Sequence, residues 1–410
     1  EQLRLEADFE GIDGLRPDYM QTLINNGSTP NLKRFQTEGA WTNNARTDYT
    51  HTNTLPNHTS MLTGRPVSLP AGMPSMTQNA YTWNTDPELS TDTIHNFTNP
   101  DWYKASTFDV AHDAGLSTAL YASKNKFVIY DQSYNATTGA DHANGRDKID
   151  TFFAPEVTAT MQTQLLAGLA TNHFNYTFVH YADADDAGHS FGWGSTDWNS
   201  ALVTIDGYLG EFFNLVENDA TLMGRTAIIL SADHGGTGTS HSTSTVATNY
   251  TIPFFAWGKG VASGDLYALN SDTRTNPGTS RPDYNAAGQP IRNGDGGNLA
   301  LRLLGLNAIP GSLINASQNL RVSTPGDFNQ DGTVDAADYA EWRNRLGTTY
   351  TQTHFDLWRA NFGKTGGGAS AATSYPAAVP EPESFQLLLI AMGLGLVHWP
   401  HARRRPKNVF

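Results

Sequence analysis

Residues Thr226-Ala227-Ile228-Ile229-Leu230 form an unbroken apolar run that stops abruptly at Ser231-Ala232-Asp233-His234-Gly235-Gly236. The run is short and rich in β-branched side chains, which predicts a fully buried strand of a parallel sheet. Open α/β sheets place their ligands beyond the C-terminal ends of such strands, where Asp233 and His234 stand. The two glycines allow a tight turn there. A carboxylate beside an imidazole is a metal-binding pair, and His241 can return to the same place. The plainer reading is a turn with an Asp cap and an unrelated His. The rest of the chain decides between them.

The same arrangement recurs upstream. Leu3, Leu5, Ala7 and Phe9 alternate with Arg4, Glu6, Asp8 and Glu10, which predicts a half-exposed first strand. It leads into Ile12-Asp13-Gly14, so Asp13 follows a strand and precedes a helix, as a ligand or as a helix cap. Thr29 and Pro30 open a helix that Gly39 ends. In His51-Thr52-Asn53-Thr54-Leu55-Pro56-Asn57-His58, Pro56 predicts another helix start, with Thr54 at or just before the N-terminus. Free N–H groups and the helix dipole there favour an alkoxide or a phosphate oxygen; an ordinary Thr cap occupies the same position.

Further helices are predicted over 105–115, 155–172 and 198–218, and strands over 117–123, 176–181 and 251–258, the last closing the sheet. Strand 176–181 runs into Ala182-Asp183-Ala184-Asp185-Asp186-Ala187-Gly188-His189. Asp185 and His189 share one face of a helical turn, while Asp183 and Asp186 read as solvated charges. A helix over 295–306 follows. Strands alternate with helices to about residue 320, the pattern of an α/β fold with a mostly parallel central sheet flanked by helices.

Composition narrows what such a fold can do. Hydrophobic residues make up 38% of the 410 and charged residues 16%, which supports a packed core. The formal net charge is −14, so a polyanion such as DNA is not an expected scaffold partner. An acidic protein that handles anionic substrates needs local positive charge, which metal ions supply. The chain has no cysteine, which excludes disulfides, thiolate zinc ligands and a Cys nucleophile but not export. It begins at Glu1 rather than Met, so a preceding segment is expected.

Beyond residue 320 the character changes. Asp327, Asn329, Asp331, Thr333, Asp335 and Asp338 fall at the oxygen-ligand positions of a calcium loop, with Gly332 at its turn; an Asx-rich turn is the alternative. A helix over 339–346 is expected next. Phe355-Asp356-Leu357-Trp358-Arg359 echoes Tyr339-Ala340-Glu341-Trp342-Arg343, a repeat whose second copy lacks the loop. Residues 321–364 are therefore read as a small α-helical calcium-loop module following a main domain over 1–320. Residues 365–378 are Gly/Ala/Ser-rich and read as a linker. In 379–410, Val379-Pro380-Glu381-Pro382 precedes an apolar run over 385–399, closed by Arg403, Arg404 and Arg405. The run falls short of the roughly 20 residues that span a bilayer. The Arg cluster argues for a membrane segment, against the alternative of a buried terminal helix.

Taken together, Asp13, Thr54, Asp185 with His189, and Asp233 with His234 and His241 resemble the alkaline phosphatase superfamily, most closely its type I phosphodiesterase/nucleotide pyrophosphatase branch. The likeness spans roughly residues 10–310 and includes Thr54-Leu55-Pro56-Asn57-His58 followed by Thr63-Gly64-Arg65. It implies two zinc ions, one on Asp185, His189 and His241, the other on Asp13, Asp233, His234 and the Thr54 oxygen. It implies hydrolysis of phosphodiester or pyrophosphate bonds through a phosphothreonine intermediate, with Thr54 as nucleophile. It also implies an Asn that holds a phosphoryl oxygen; Asn84 is the candidate and Asn79 the runner-up.

The loop region resembles a dockerin-type repeat, which implies one calcium ion and a cohesin-like or cell-surface partner. The C-terminus resembles a PEP-CTERM sorting signal. That implies export by a bacterium to the periplasm, cell surface or exterior, a transient membrane anchor and processing by an exosortase. Phosphomonoesterase and phosphonate hydrolase remain alternatives. Sulfatase is disfavoured because that branch needs Cys or Ser in a Cys/Ser-x-Pro-x-Arg motif. A calcium-dependent surface binding protein with an inactive α/β domain is the rival from another class.

Overall fold

The structure is a computed structural model that describes residues 6–96, 102–136, 147–329, 331–347 and 350–364. All of these belong to one compact unit. The linker over 365–378 and the sorting segment over 379–410, with its apolar run over 385–399, lie outside the described residues.

The core is one eight-stranded sheet made of β1 (Glu6–Ile12), β2 (Ala40–Arg46), β3 (Thr118–Ala122), β4 (Thr151–Phe153), β5 (Tyr176–Tyr181), β6 (Thr226–Ser231), β7 (Thr251–Gly258) and β8 (Gly264–Asp265). Their order is β4-β3-β5-β1-β6-β7-β2-β8. The pairs from β4 through β6 are parallel, while β7 runs antiparallel to both β6 and β2. The sheet is therefore mixed, with a parallel majority. Contrary to the expectation, Thr251–Gly258 does not close it; β8 follows in sequence and forms one edge.

β2 carries no apolar signal of its own. Its sequence AWTNNAR is polar at the centre, and a register shift between Thr42 and Ala45 interrupts its pairing with β7. A bulge of that kind erases period-two alternation. β1 departs from its expected half-exposed state in the opposite sense. It lies between β5 and β6, and Glu6 and Asp8 are buried. Asp8 shares its face with its register partners Thr177 and Ile228 and with Trp257 beyond them, which packs on Phe213 of the helix Thr196–Asn218. Burial pushes the Glu6 carboxyl up to about 8 and the Asp8 carboxyl up to about 7. Leu3 and Leu5 lie outside the described residues.

Helices form two groups. Thr54–Thr63, Thr107–Asp113 and Asp295–Leu303 pack on one another; Pro17–Asn25, Pro30–Glu38, Thr158–Asn172 and Thr196–Asn218 form the second group. Trp198, Phe35, Phe213 and Phe255 anchor the second group, each contributing about 1.5–3 kcal/mol by burial. In the C-terminal part, Ala336–Asn344 and Gln352–Asn361 pair through Tyr339, Trp342, Phe355 and Trp358. The first of these begins three residues before the expected start at 339, because the Asp335 side chain caps it. No described helix is long and apolar enough to cross a membrane.

Candidate metal centre

Three neighbouring parallel strands, β5, β1 and β6, deliver the polar side chains at their C-terminal ends. Asp13 follows β1, and its N–H donates to the Tyr181 carbonyl at 3.0 Å. Gly14 then turns at φ 70, a conformation that favours glycine. Its N–H donates to Asp233 Oδ1 at 3.1 Å, tying the end of β1 to the end of β6. A Cβ on Gly14 would meet Asp185 atoms at 3.1–3.3 Å, so the turn also lets the helix Asp183–Phe191 approach. That helix puts Asp185 and His189 one turn apart, with His189 Nε2 3.5 Å from Asp185 Oδ1.

Two groups of donor atoms converge: Asp185, His189 and His241 in one, Asp13, Asp233 and His234 in the other. They adjoin, since the His234 and His241 rings stack at 3.5 Å. Each imidazole has its Nδ1 on a backbone carbonyl: His234 on Gly235 at 2.8 Å, His189 on Thr239 at 3.0 Å, and His241 on Thr52. With Nδ1–H donating, every Nε2 carries a lone pair, and these point at the clusters. His241 Nε2 and His189 Nε2 face each other at 3.1 Å. Asp13 Oδ1, Asp185 Oδ1, Asp233 Oδ2 and His234 Nε2 are buried without a hydrogen-bond partner. Buried acceptors that converge on one another are what a cation satisfies, so the donor set fits two metal ions.

The charge states agree with that fit. Burial lowers His234 to about 4 and His241 to about 3, so both rings are neutral. Asp13 is held well below the usual carboxylate range: burial opposes this, but Lys124, His180 and His234 outweigh it. Asp233 is pushed well up by burial and then by Asp13 and Asp185.

Thr54 opens the helix Thr54–Thr63 and is buried. The Leu55 N–H, next in the chain, donates to Asn84 Oδ1 at 2.9 Å. The Asn84 amide thus stands beside the helix N-terminus. Asn79 is fully buried elsewhere and spends its amide on Ser60, Arg65 and Tyr81. Three residues were not foreseen. Lys124, just past the end of β3, donates to Asp13 and Asp185; its position at a parallel strand end was the available signal. His180, within β5, bonds Asp13 at 3.1 Å. His58 bonds the Thr54 carbonyl at 2.8 Å.

The residues expected to form the calcium loop bond to one another. Asp327 accepts from the Asp331 and Gly332 N–H groups, Asn329 and Asp331 accept within the loop, Asp335 caps Ala337, and Asp338 accepts from Phe328, Asn329 and Asp335. Thr333 donates its N–H to Asp331, and Gly332 turns at φ 92. Burial and the nearby Asp338 push Asp327 up to about 7. Among the described residues the loop's carboxylates do not form a third converging group of His, Asp or Glu donors.

Comparison with known proteins places this geometry. The sequence profile described as "Type I phosphodiesterase / nucleotide pyrophosphatase" matches residues 11–314. Human ectonucleotide pyrophosphatase/phosphodiesterase family member 1 is 27% identical over 229 residues, 55% of this chain and 23% of that protein. The chain thus spans about a quarter of that relative's length. Among solved structures, the alkaline phosphatase PafA matches with TM-score 0.52 at 13% identity, covering 77% of this chain and 99% of that one. Murine ectonucleotide pyrophosphatase/phosphodiesterase 5, in complex with AMP, matches with TM-score 0.50 at 14% identity over 77% and 99%. These two likenesses establish the alkaline phosphatase-like fold.

Proposed function

The chain belongs to the type I phosphodiesterase/nucleotide pyrophosphatase family, and from that premise we propose that it is a two-zinc hydrolase of phosphodiester or pyrophosphate bonds. The observation that carries the reading is the convergence of six donors whose three imidazoles are all oriented by Nδ1 on backbone carbonyls. Asp185, His189 and His241 would hold one zinc, and Asp13, Asp233 and His234 the other, with Thr54 beside it. Bound zinc supplies positive charge that lowers the pKa of a nearby hydroxyl and neutralises phosphoryl oxygens.

The residues of the chain do the rest. The helix N-terminus presents Thr54 with its dipole favouring the alkoxide. Thr54 Oγ1 forms a bond to phosphorus as the bond to the leaving oxygen breaks, giving phosphothreonine and an alcohol or phosphate. Water then attacks phosphorus, and Thr54 leaves with a proton. Asn84, whose Oδ1 is occupied by Leu55 N–H, directs its amide N–H groups to a phosphoryl oxygen. A phosphomonoester is the second reading. Lys126 Nζ lies 3.5 Å from Asn84 Oδ1 and would meet the extra charge of a terminal phosphate. Colorimetric turnover of aryl phosphodiesters, monoesters and sulfates with added zinc tests the reading. No turnover of any of them by zinc-loaded protein favours the inactive binding protein.

The sequence alone supports three further proposals. Residues 1–320 form the catalytic domain, and the module over 321–364 takes one calcium ion and meets a cohesin-like or surface partner. The tail directs export in a bacterium and is processed by an exosortase after transient membrane anchoring.

A further inference from the structure

Lys124 lies just past the end of β3, which neighbours β5 but not β1, yet it reaches carboxylates of both metal clusters. Its Nζ lies 2.7 Å from Asp13 Oδ2 and 2.6 Å from Asp185 Oδ2, with Asp186 Oδ1 at 3.4 Å. The second oxygens behave differently. Asp13 Oδ1 has no hydrogen-bond partner and lies 3.3 Å from His234 Nε2; Asp185 Oδ1 likewise has none and lies 3.5 Å from His189 Nε2. One oxygen of each carboxylate therefore serves the ammonium and the other faces a metal cluster.

We propose that Lys124 is the shared internal counter-ion of the two clusters: it keeps the site folded before metal arrives and limits how tightly metal then binds. The inference rests on the two-zinc reading. Three carboxylates, Asp13, Asp185 and Asp233, crowd one buried place and repel one another. An ammonium against two of them relieves that repulsion in metal-free protein. The same positive charge, a few ångströms from any ion those carboxylates ligate, repels it and divides their charge with it. The ammonium, the ordinary state of a lysine at neutral pH, is held at hydrogen-bond distance by both carboxylates.

The experiment uses the whole chain, stripped with chelator and titrated with zinc chloride alone by calorimetry, with melting followed with and without zinc. K124M and K124Q remove the charge; K124R keeps it. The expected result is zinc affinity about tenfold or more higher in K124M and K124Q. Their melting temperature falls in the metal-free state and recovers when zinc is bound, and K124R behaves like wild type. Variants that fold only with zinc also support the proposal. Weaker or unchanged zinc binding in K124M and K124Q overturns it, as does an equal drop in melting temperature with and without zinc, which marks a packing role. If wild type takes up no zinc, the two-zinc reading has failed instead.

Discussion

Thr52 and His241 bond each other twice: the Thr52 hydroxyl donates to the His241 carbonyl, and His241 Nδ1–H donates to the Thr52 carbonyl. Thr52 is thereby engaged in orienting the His241 imidazole, and the role proposed for Thr54 as the reacting hydroxyl does not compete with that bond. The two threonines should fail in different ways. Thr54→Ala should keep zinc near wild type and lose turnover by a few orders of magnitude. Thr54→Ser should retain measurable turnover, and acid quench of a slow substrate should trap phosphate on the wild-type peptide containing Thr54. Thr52→Val should instead lower zinc content. A dead Thr52→Val with full zinc beside an active Thr54→Ala would reverse the assignment.

Asp8 makes stability depend on pH. Its folded-state pKa, about 7, is raised above the unfolded value, so the folded protein holds the proton more tightly. Stability from this group is full below pH ~4 and is lost progressively as pH rises towards 7, then stays constant. Asp8→Asn should therefore match wild type at pH 4 and exceed it at pH 8 by an amount on the order of a few kcal/mol. Denaturant melts at the two pH values check this. A gain at pH 4 that disappears at pH 8 would contradict the sign.

Gly14→Ala tests the turn that joins the two clusters. The positive φ costs about 1–2 kcal/mol for a residue with a Cβ, and that Cβ would press on Asp185. Elemental analysis should show less zinc per chain, alongside a lower melting temperature. Undiminished zinc would mean the helix Asp183–Phe191 can shift without disturbing its donors.

For the C-terminal loop, wild-type protein should bind about one calcium, and Asp338→Asn should weaken that binding. Phosphoesterase activity of the Asp338→Asn chain should be unchanged, since the loop is remote in sequence from every catalytic candidate. Calorimetry with calcium chloride on both chains measures the first, and a heat-free wild type refutes it.

A chain ending before Val379 should be soluble and as active as the full sequence, because residues 385–399 are assigned to sorting. Misfolding of that truncation would make the run a core helix.

Several elements were legible locally. The run Thr226–Leu230, the strand 176–181 and the Thr29-Pro30 helix start coincide with observed elements, because burial on both faces and a proline in the first turn leave their mark within a few residues. The pairing of Asp185 with His189 followed from helical spacing alone. β2 stayed hidden because a polar strand with a register shift has no periodicity to read. The alternation in β1 predicted exposure because local periodicity cannot reveal that the helix Thr196–Asn218 lies over the face that Asp8 shares with Ile228 and Trp257.

By itself, the sequence determined the α/β class and the residue types waiting at three strand ends, since hydrophobic runs and turn residues are short-range properties. Tertiary structure alone decided which of them meet. Strand order sets β5, β1 and β6 side by side and brings Lys124 across to Asp13, although 111 positions separate them. It also engaged the Thr52 hydroxyl on His241 and turned the Nε2 atoms of His189 and His241 inward, because those bonds depend on carbonyls distant in sequence.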